Sequence, residues 1–195
     1  GVAILLLAEG GAPEVEGAVL VAPATWSREI MRVWQRMGLD VSRTLVPALE
    51  MTGEGLTIRP TDNEAVLQAM RADPMILRAN RVDLLAGAVD LMSRADTGAL
   101  QLASQAGPPL LVLFGENEEV LPGRAVDRVV GHLQPLAEIA PEETGNHLTT
   151  ERRALVIYPE GWHMLLRDRQ GPRVIADVAR WILARAAEAE APESP

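Results

Sequence analysis

The 195-residue chain contains no cysteine and no lysine. The absence of cysteine excludes disulfide bonds, thiolate metal sites and cysteine nucleophiles. Its 18 basic residues are all arginines and stand against 27 acidic residues, which gives a net charge of −9, and aromatic side chains make up only 3% of the chain. Proteins that bind nucleic acid usually carry a basic stripe interleaved with aromatic residues, so we do not expect a nucleic-acid partner.

Long apolar runs are also lacking. The longest ones cover residues 2–8 and 110–114, whereas a helix needs about 20 apolar residues to cross a bilayer. We therefore expect no transmembrane segment, while peripheral contact with a membrane stays open. The lack of cysteine decides nothing about the compartment, and because no signal peptide is readable we expect a cytoplasmic protein. The length suffices for one domain with a hydrophobic core.

Two short strand-like runs are each followed by a turn that carries ionisable side chains. Residues 110–114 (LLVLF) are wholly apolar and end at a glycine, which is typical of a strand buried on both faces of a parallel sheet. Residues 154–158 (ALVIY) repeat the pattern. Open α/β sheets bind ligands at the carboxyl ends of their strands. We therefore expect Glu118, which follows the first run, and His163, which follows the second, to converge there.

Neighbouring residues offer alternatives that we weigh against this pair. Glu119 is the alternative acid, whereas Glu116 is interpreted as a solvated loop charge. Asn117 could orient a histidine but could not supply a charge. His132 is expected on a helix surface and His147 in a loop, and neither follows a buried strand.

The remaining core elements are predicted from periodicity and turn residues. A first strand is predicted at 18–22, preceded by a helix at 2–9 that ends at the glycine pair 10–11, with Pro13 beyond it. Further helices are predicted at 123–133 and 172–187, and residues 135–150 are predicted as a loop. The stripe expected to be buried on the last helix consists of Val174, Ile175, Val178, Trp181, Ile182 and Leu183.

A mostly helical insertion is predicted between the first and second strands, over residues 26–99. It should contain a helix capped by Ser27 and ended by Gly38, then turns over 41–60 with room for a short helix. A further helix should run from Thr61 or Asp62 to about Arg71 and stop near Asp73 and Pro74, and another should begin at Asn80 or Arg81.

Several segments occur in a characteristic order. VLVAPATW (19–26), PTDN (60–63), RADP (71–74), RVD (81–83) and VDLM (89–92) precede GENEEVLP (115–122) and YPEGWHMLL (158–166). In these residues and this order the chain resembles bacterial α/β-hydrolases of the monoacylglycerol lipase and lysophospholipase group, also described as the serine aminopeptidase S33-like group. The resemblance covers nearly the whole chain.

The resemblance implies an α/β fold that corresponds to the carboxyl half of an α/β-hydrolase, with about three parallel strands, flanking helices and a helical cap insertion. Residues 1–25 and 100–187 would form the core, residues 26–99 the cap over the active site, and residues 188–195 a disordered tail. In this group the cap binds part of a lipid-like ester. The implied substrate is therefore a small ester of the monoacylglycerol or lysophospholipid type.

The resemblance also implies a catalytic triad in the order serine, acid, histidine, with the serine on a Gly-x-Ser-x-Gly turn. His163 corresponds to the base and Glu118 to the acid, where the group usually has an aspartate whose carboxylate would sit about 1.5 Å further back. No Gly-x-Ser-x-Gly occurs in the sequence. Gly1 corresponds to a glycine just after the serine, so we expect a fragment that lacks the nucleophile, the oxyanion hole and the amino-terminal half of the fold, and is inactive alone.

None of the internal serines fits a glycine-flanked turn between a strand and a helix; these are Ser27, Ser42, Ser93, Ser104 and Ser194. A non-catalytic relic or interaction module of the same fold is the main alternative. A hydrolase or haloperoxidase with a different substrate is another. We expect no cofactor, because the three histidines are scattered, no carboxylates stand at ligand spacing and no Gly-rich phosphate loop follows a strand.

Overall fold

The computed structural model describes residues 1–10 and 15–190. A four-stranded parallel sheet lies between two layers of helices, and a two-stranded antiparallel ribbon lies in the insertion. In chain order the elements are α1 (Val2–Ala8), β1 (Ala18–Val21), α2 (Val33–Leu45), β2 (Glu50–Thr52), α3 (Glu64–Ala72), β3 (Ala79–Arg81), α4 (Val82–Ser104), β4 (Leu110–Gly115), α5 (Gly123–Leu133), β5 (Ala137–Glu138), α6 (Thr144–Thr150), β6 (Arg153–Tyr158) and α7 (Gly171–Glu190).

The sheet has the strand order β1-β4-β6-β5. Every residue of β4 is buried, because helices cover both faces. Its side chains alternate as a strand requires: Leu110, Val112 and Phe114 enter the hydrophobic core under α1, α4 and α5. Leu111 and Leu113 enter a second core that also contains residues of α6 and α7. The predicted parallel sheet with flanking helices is thus confirmed.

The three predicted strands are present, and a fourth was not predicted. β5 has only two residues, which pair with Ala154 and Leu155 of β6. The loop predicted over residues 135–150 is wrong, because this stretch contains β5, a short 3₁₀ helix at Pro141–Glu143 and α6. The sequence of α6, TGNHLTT, is rich in poor helix formers. Tertiary packing against α7, with Leu148 fully buried, outweighs that local preference.

In the insertion, the predicted helix stop at Gly38 is wrong. α2 passes through Gly38 and ends at Leu45. This glycine does not adopt the positive φ with which a glycine ends a helix. Ser27 does act as a cap, but of the 3₁₀ helix Arg28–Ile30, where its hydroxyl accepts a hydrogen bond from the Glu29 N–H at 3.2 Å. The turns predicted over 41–60 are interrupted by β2, which pairs antiparallel with β3.

The next two helices of the insertion agree better with prediction. α3 ends before Asp73, as the following proline dictates, but its cap is Asn63 rather than Thr61 or Asp62. α4 begins after Arg81, as predicted. Its 23 residues run past residue 99, so the predicted boundary between cap and core lies inside one continuous helix.

The buried stripe predicted for α7 is wrong in part. Val174 and Trp181 are buried, whereas Ile175, Ile182 and Leu183 are 50%, 48% and 69% exposed. Asp177 takes a buried position instead, because the Tyr158 hydroxyl donates a hydrogen bond to its carboxylate at 2.9 Å.

The first and last helices end close to the limits of the described residues. α7 continues to Glu190, so residues 188–190 of the predicted tail are helical. The rest of that tail lies outside the described residues, as do Gly11 and Pro13. Gly10, at the end of the first helix, has φ +68°, a conformation that glycine adopts easily. Among the described residues, no helix has both the length and the apolar composition needed to cross a membrane.

Candidate active site

Two turns meet at the carboxyl edge of the sheet. They are the acid turn, residues 116–122 after β4, and the histidine turn, residues 159–168 after β6. Because β4 and β6 pair in register from Leu110↔Arg153 to Gly115↔Tyr158, the turns start side by side. Backbone hydrogen bonds then join them: the Glu116 N–H donates to the Tyr158 carbonyl at 3.0 Å, and the Asn117 N–H donates to the Gly161 carbonyl at 2.8 Å.

Glu118 and His163 form a hydrogen-bonded pair between these turns. Oε2 of Glu118 lies 2.7 Å from Nδ1 of His163. The other carboxylate oxygen, Oε1, accepts the backbone N–H of Val120 at 2.7 Å and that of Leu121 at 3.0 Å. The Glu118 side chain is only 2% exposed, whereas that of His163 is 26% exposed. The Glu118 carboxylate is therefore held in place and shielded from water, whereas the imidazole of His163 reaches the surface.

This geometry selects one tautomer of the imidazole. A carboxylate can only accept, so Nδ1 of His163 carries the proton that it donates to Glu118. Nε2 then keeps a lone pair, and within the described part of the chain it has no hydrogen-bond partner. The arrangement can take a proton at Nε2 while the carboxylate stabilises the imidazolium that results.

The environment of Glu118 favours its charged form. Burial by itself raises the pKa of the carboxyl group, but the hydrogen bond from His163, the N–H groups of Leu121 and Val120 and the charge of the imidazolium lower it. The net effect is a pKa below the usual value for glutamate. Glu118 thus remains a carboxylate in the range where a histidine base works.

The other candidates lie elsewhere. Glu119 uses Oε2 to accept the Arg59 N–H at 3.0 Å and makes no contact with the imidazole. Glu116 is exposed. Nε2 of His132 lies 3.5 Å from the buried carboxylate of Asp96, and His147 is an exposed side chain 3.8 Å from Glu143.

Sequence reasoning missed a second carboxylate, at the last residue of the histidine turn. Asp168 is 3% exposed and Thr61 is fully buried. Oδ2 of Asp168 accepts the Trp162 N–H at 2.7 Å, and Oδ1 accepts the Thr61 hydroxyl at 2.5 Å. The sequence predicts Thr61 only as a helix cap, and Asp168 stands in a charged stretch with no periodicity. The one available signal was that Thr61 belongs to the PTDN segment.

The segment that contains Thr61 touches both turns. The Arg59 guanidinium lies 5.2 Å from the centre of the Trp162 ring, a cation–π distance. The Arg59 N–H binds Glu119 in the acid turn, and the Pro60 carbonyl accepts the Met164 N–H in the histidine turn at 2.9 Å. Part of the predicted cap therefore connects the two halves of the site.

Comparison with known families agrees with this architecture. The family profile described as serine aminopeptidase, S33, matches residues 1–170. The chain belongs to the serine aminopeptidase S33 family. Because the match covers both turns, Glu118 and His163 lie within the part of this chain that is common to the S33 family.

Two solved structures have the same fold as this S33 chain. One is a monoacylglycerol lipase from Paleococcus ferrophilus, with 17% identity and a TM-score of 0.63; the match covers 91% of this chain and 62% of the lipase. The other is a soluble variant of the monoglyceride lipase from Saccharomyces cerevisiae in complex with a substrate analogue, with 12% identity and a TM-score of 0.58; the match covers 87% of this chain and 56% of that enzyme.

The S33 chain thus spans less than two thirds of the length of either lipase. No curated protein matches its sequence significantly.

Proposed function

We propose that the chain supplies the acid and the base of a serine ester hydrolase that acts on lipid-like carboxylic esters, of the monoacylglycerol or lysophospholipid type. Glu118 is the acid and His163 the base. The single observation that carries the proposal is the 2.7 Å hydrogen bond between Glu118 Oε2 and His163 Nδ1. It leaves Nε2 of the imidazole available at the ligand-binding edge of a parallel sheet.

The nucleophile in this proposal is a serine on a segment that precedes Gly1. None of the serines in the described ranges hydrogen-bonds to His163; Ser27 caps a 3₁₀ helix, and Ser104 donates to the Leu100 carbonyl at 2.8 Å inside α4. α1 starts close to the carboxyl end of β1, since a Cβ added to Gly1 would lie 3.6 Å from the Ala24 carbonyl oxygen. A serine turn that leads into α1 would therefore come to the same edge as His163.

The proposed reaction has two steps. The serine hydroxyl attacks the ester carbonyl while Nε2 of His163 takes its proton, and the imidazolium then gives that proton to the departing alcohol. Water hydrolyses the acyl-enzyme in the same way and releases a carboxylic acid. The oxyanion hole would also come from the preceding segment, so the chain alone is expected to be inactive.

A lipid-like substrate is supported by the surface of the cap and by the two similar lipases. α2 exposes large apolar side chains, with Val33, Trp34 and Met37 each more than 60% exposed. An exposed apolar surface of this kind suits contact with an acyl chain or a membrane surface.

The proposal is tested by translating the coding DNA upstream of Gly1 in frame and expressing the extended protein. We expect an encoded Gly-x-Ser-x-Gly, covalent labelling of its serine by a fluorophosphonate, and hydrolysis of p-nitrophenyl esters and monoacylglycerols. His163→Ala should abolish turnover, whereas the control His147→Ala, at an exposed histidine of α6, should leave it unchanged.

A stop codon or unrelated sequence upstream would overturn the proposal. So would an extended protein that hydrolyses esters equally well with His163→Ala. The first result would favour the alternative of a non-catalytic relic or interaction module, whereas the second would place the base at a residue other than His163.

A further inference from the structure

A buried hydrogen-bonded ring holds the backbone on both sides of His163. The residue before the histidine, Trp162, donates its N–H to Oδ2 of Asp168 at 2.7 Å. The residue after it, Met164, donates its N–H to the Pro60 carbonyl at 2.9 Å. Thr61, next to Pro60, closes the ring by donating its hydroxyl to Oδ1 of Asp168 at 2.5 Å.

The ring is buried and its hydrogen-bonding roles are fixed. The exposed fractions of Thr61 and Asp168 are 0% and 3%. The Thr61 hydroxyl also accepts the Asn63 N–H at 3.2 Å, so its single proton is free to point at Asp168. A buried carboxylate that accepts two such donors is costly to disturb, because the loss of one partner leaves a charged oxygen without a hydrogen bond.

The ring links the histidine to the cap rather than only to its own loop. Thr61 and Asp168 are 107 residues apart in the sequence. The same cap segment continues into Arg59, which binds Glu119 beside the acid and stacks on Trp162. The position of this cap segment therefore affects both Glu118 and His163. The hydrogen bond between them has to keep its length and direction for proton transfer.

We propose that Thr61 and Asp168 are positioning residues that set the orientation of the His163 imidazole toward Glu118. The catalytic importance of this positioning rests on the proposed function. The orientation of the imidazole can be measured whether or not the proposed function is correct. Neither residue touches the reacting atoms, and they act through the backbone of Trp162 and Met164. Displacement of the cap segment would weaken the hydrogen bond between His163 and Glu118. The position of the cap therefore affects the ability of His163 to act as a base.

The test is nuclear magnetic resonance of the 195-residue chain with ¹⁵N-labelled histidine, carrying the surface substitutions Ile182→Glu and Leu183→Arg that reduce its self-association. The readout is the rate at which the Nδ1 proton of His163 exchanges with water, since that proton is protected only while it is bonded to Glu118. Variants of His132 and His147 assign the other imidazole signals. We expect Thr61→Val, which keeps the shape and removes the hydroxyl, to accelerate exchange about tenfold, in line with the loss of one buried hydrogen bond.

Matched variants separate positioning from general loss of stability. Thr61→Ser keeps the hydroxyl and should restore slow exchange. Asp168→Asn replaces one acceptor oxygen by an amide donor and should accelerate exchange as Thr61→Val does. Thr144→Val removes another buried hydroxyl, which donates to the Pro141 carbonyl at 2.9 Å in the region of α6, and should leave the His163 signal unchanged.

Unchanged exchange in Thr61→Val, or equal acceleration in Thr144→Val, would overturn the proposal. If Thr61→Val fails to fold in a thermal unfolding scan, Asp168→Asn and Thr61→Ser decide between the same outcomes. An upstream sequence without a serine would refute the proposed function and leave these measurements untouched, because they are made on His163 within this chain.

Discussion

Gly115 and Gly161 lie back to back where the acid and histidine turns leave the sheet. A Cβ added to Gly115 would lie 2.4 Å from the Gly161 carbonyl carbon, and a Cβ added to Gly161 would lie 3.1 Å from Cα of Gly115. Only two residues without side chains permit this approach. The approach in turn permits the Asn117 N–H to reach the Gly161 carbonyl, so the geometry of the site depends on this pair.

Gly115→Ala should therefore destabilise the fold by about 3 kcal/mol, because the clash is with backbone that cannot move aside easily. Gly131→Ala is the control: it lies in α5 with nothing near its added Cβ and should stabilise by about 0.5–1 kcal/mol. Urea unfolding measures both. Equal effects of the two substitutions would contradict the role given to the glycine contact.

The acid can be identified by substitution in the in-frame extended protein. Glu118→Gln should lower kcat by about 10²–10⁴-fold, because a neutral amide neither fixes the tautomer nor stabilises the imidazolium. Glu119→Gln, whose carboxylate contacts the Arg59 N–H instead, should change kcat by less than about threefold. Steady-state hydrolysis of a p-nitrophenyl ester distinguishes them, and a larger loss in Glu119→Gln would transfer the acid role to that residue.

The Glu118 carboxylate makes the free energy of unfolding depend on pH. The folded protein holds the pKa of Glu118 below its usual value, so the unfolded chain binds more protons as the pH falls. The resulting stabilisation is complete above the unfolded value, about 4.3, and is lost as the pH falls through the folded pKa. The difference in free energy of unfolding between the wild type and Glu118→Gln should accordingly shrink from about pH 6 to pH 3. A difference that stays constant over that range would contradict a lowered pKa of Glu118 in the folded protein.

An ion pair between buried Asp96 and partly exposed Arg128 connects the cap to the core. Asp96 of α4, with a side chain 2% exposed, accepts from Nε of Arg128 on α5 at 2.7 Å, and Nη2 of Arg128 reaches Glu29 at 2.7 Å. Arg128→Met leaves Asp96 without this partner and should cost about 1–3 kcal/mol. Arg124→Met, at an exposed site on the same helix, should change the free energy of urea unfolding by less than about 0.5 kcal/mol. Equal costs would show that the Asp96 pair contributes nothing.

The free edge of the sheet predicts self-association of the chain alone. β1 pairs with β4 on one side, and no strand of the described ranges pairs with its other side. Exposed Ile182 and Leu183 on α7 add apolar surface. We expect poor solubility and oligomers in size-exclusion chromatography with light scattering, and a shift toward monomer in the double variant Ile182→Glu, Leu183→Arg. A stable wild-type monomer would count against this.

The sequence by itself determined the sheet and the meeting of the two turns. Residues 110–114 and 154–158 are apolar throughout, and their shortness and flanking turn residues are typical of buried strands. Once β4 and β6 are parallel neighbours, Glu118 and His163 must emerge at one edge. The sheet also contains β5, which could not be predicted because it has only two residues of ordinary composition.

Only the tertiary structure decided which polar groups are buried and which apolar ones are exposed. Asp177 of α7 is buried because the Tyr158 hydroxyl donates a hydrogen bond to it. Ile182 and Leu183 are exposed, although the helical periodicity predicts them on the buried face. Thr61 reaches Asp168 because the path of the chain through the cap brings together residues 107 positions apart. The apolar composition of a short run is a local property of the sequence, whereas the burial of a given helix face and a contact between two loops depend on the whole fold.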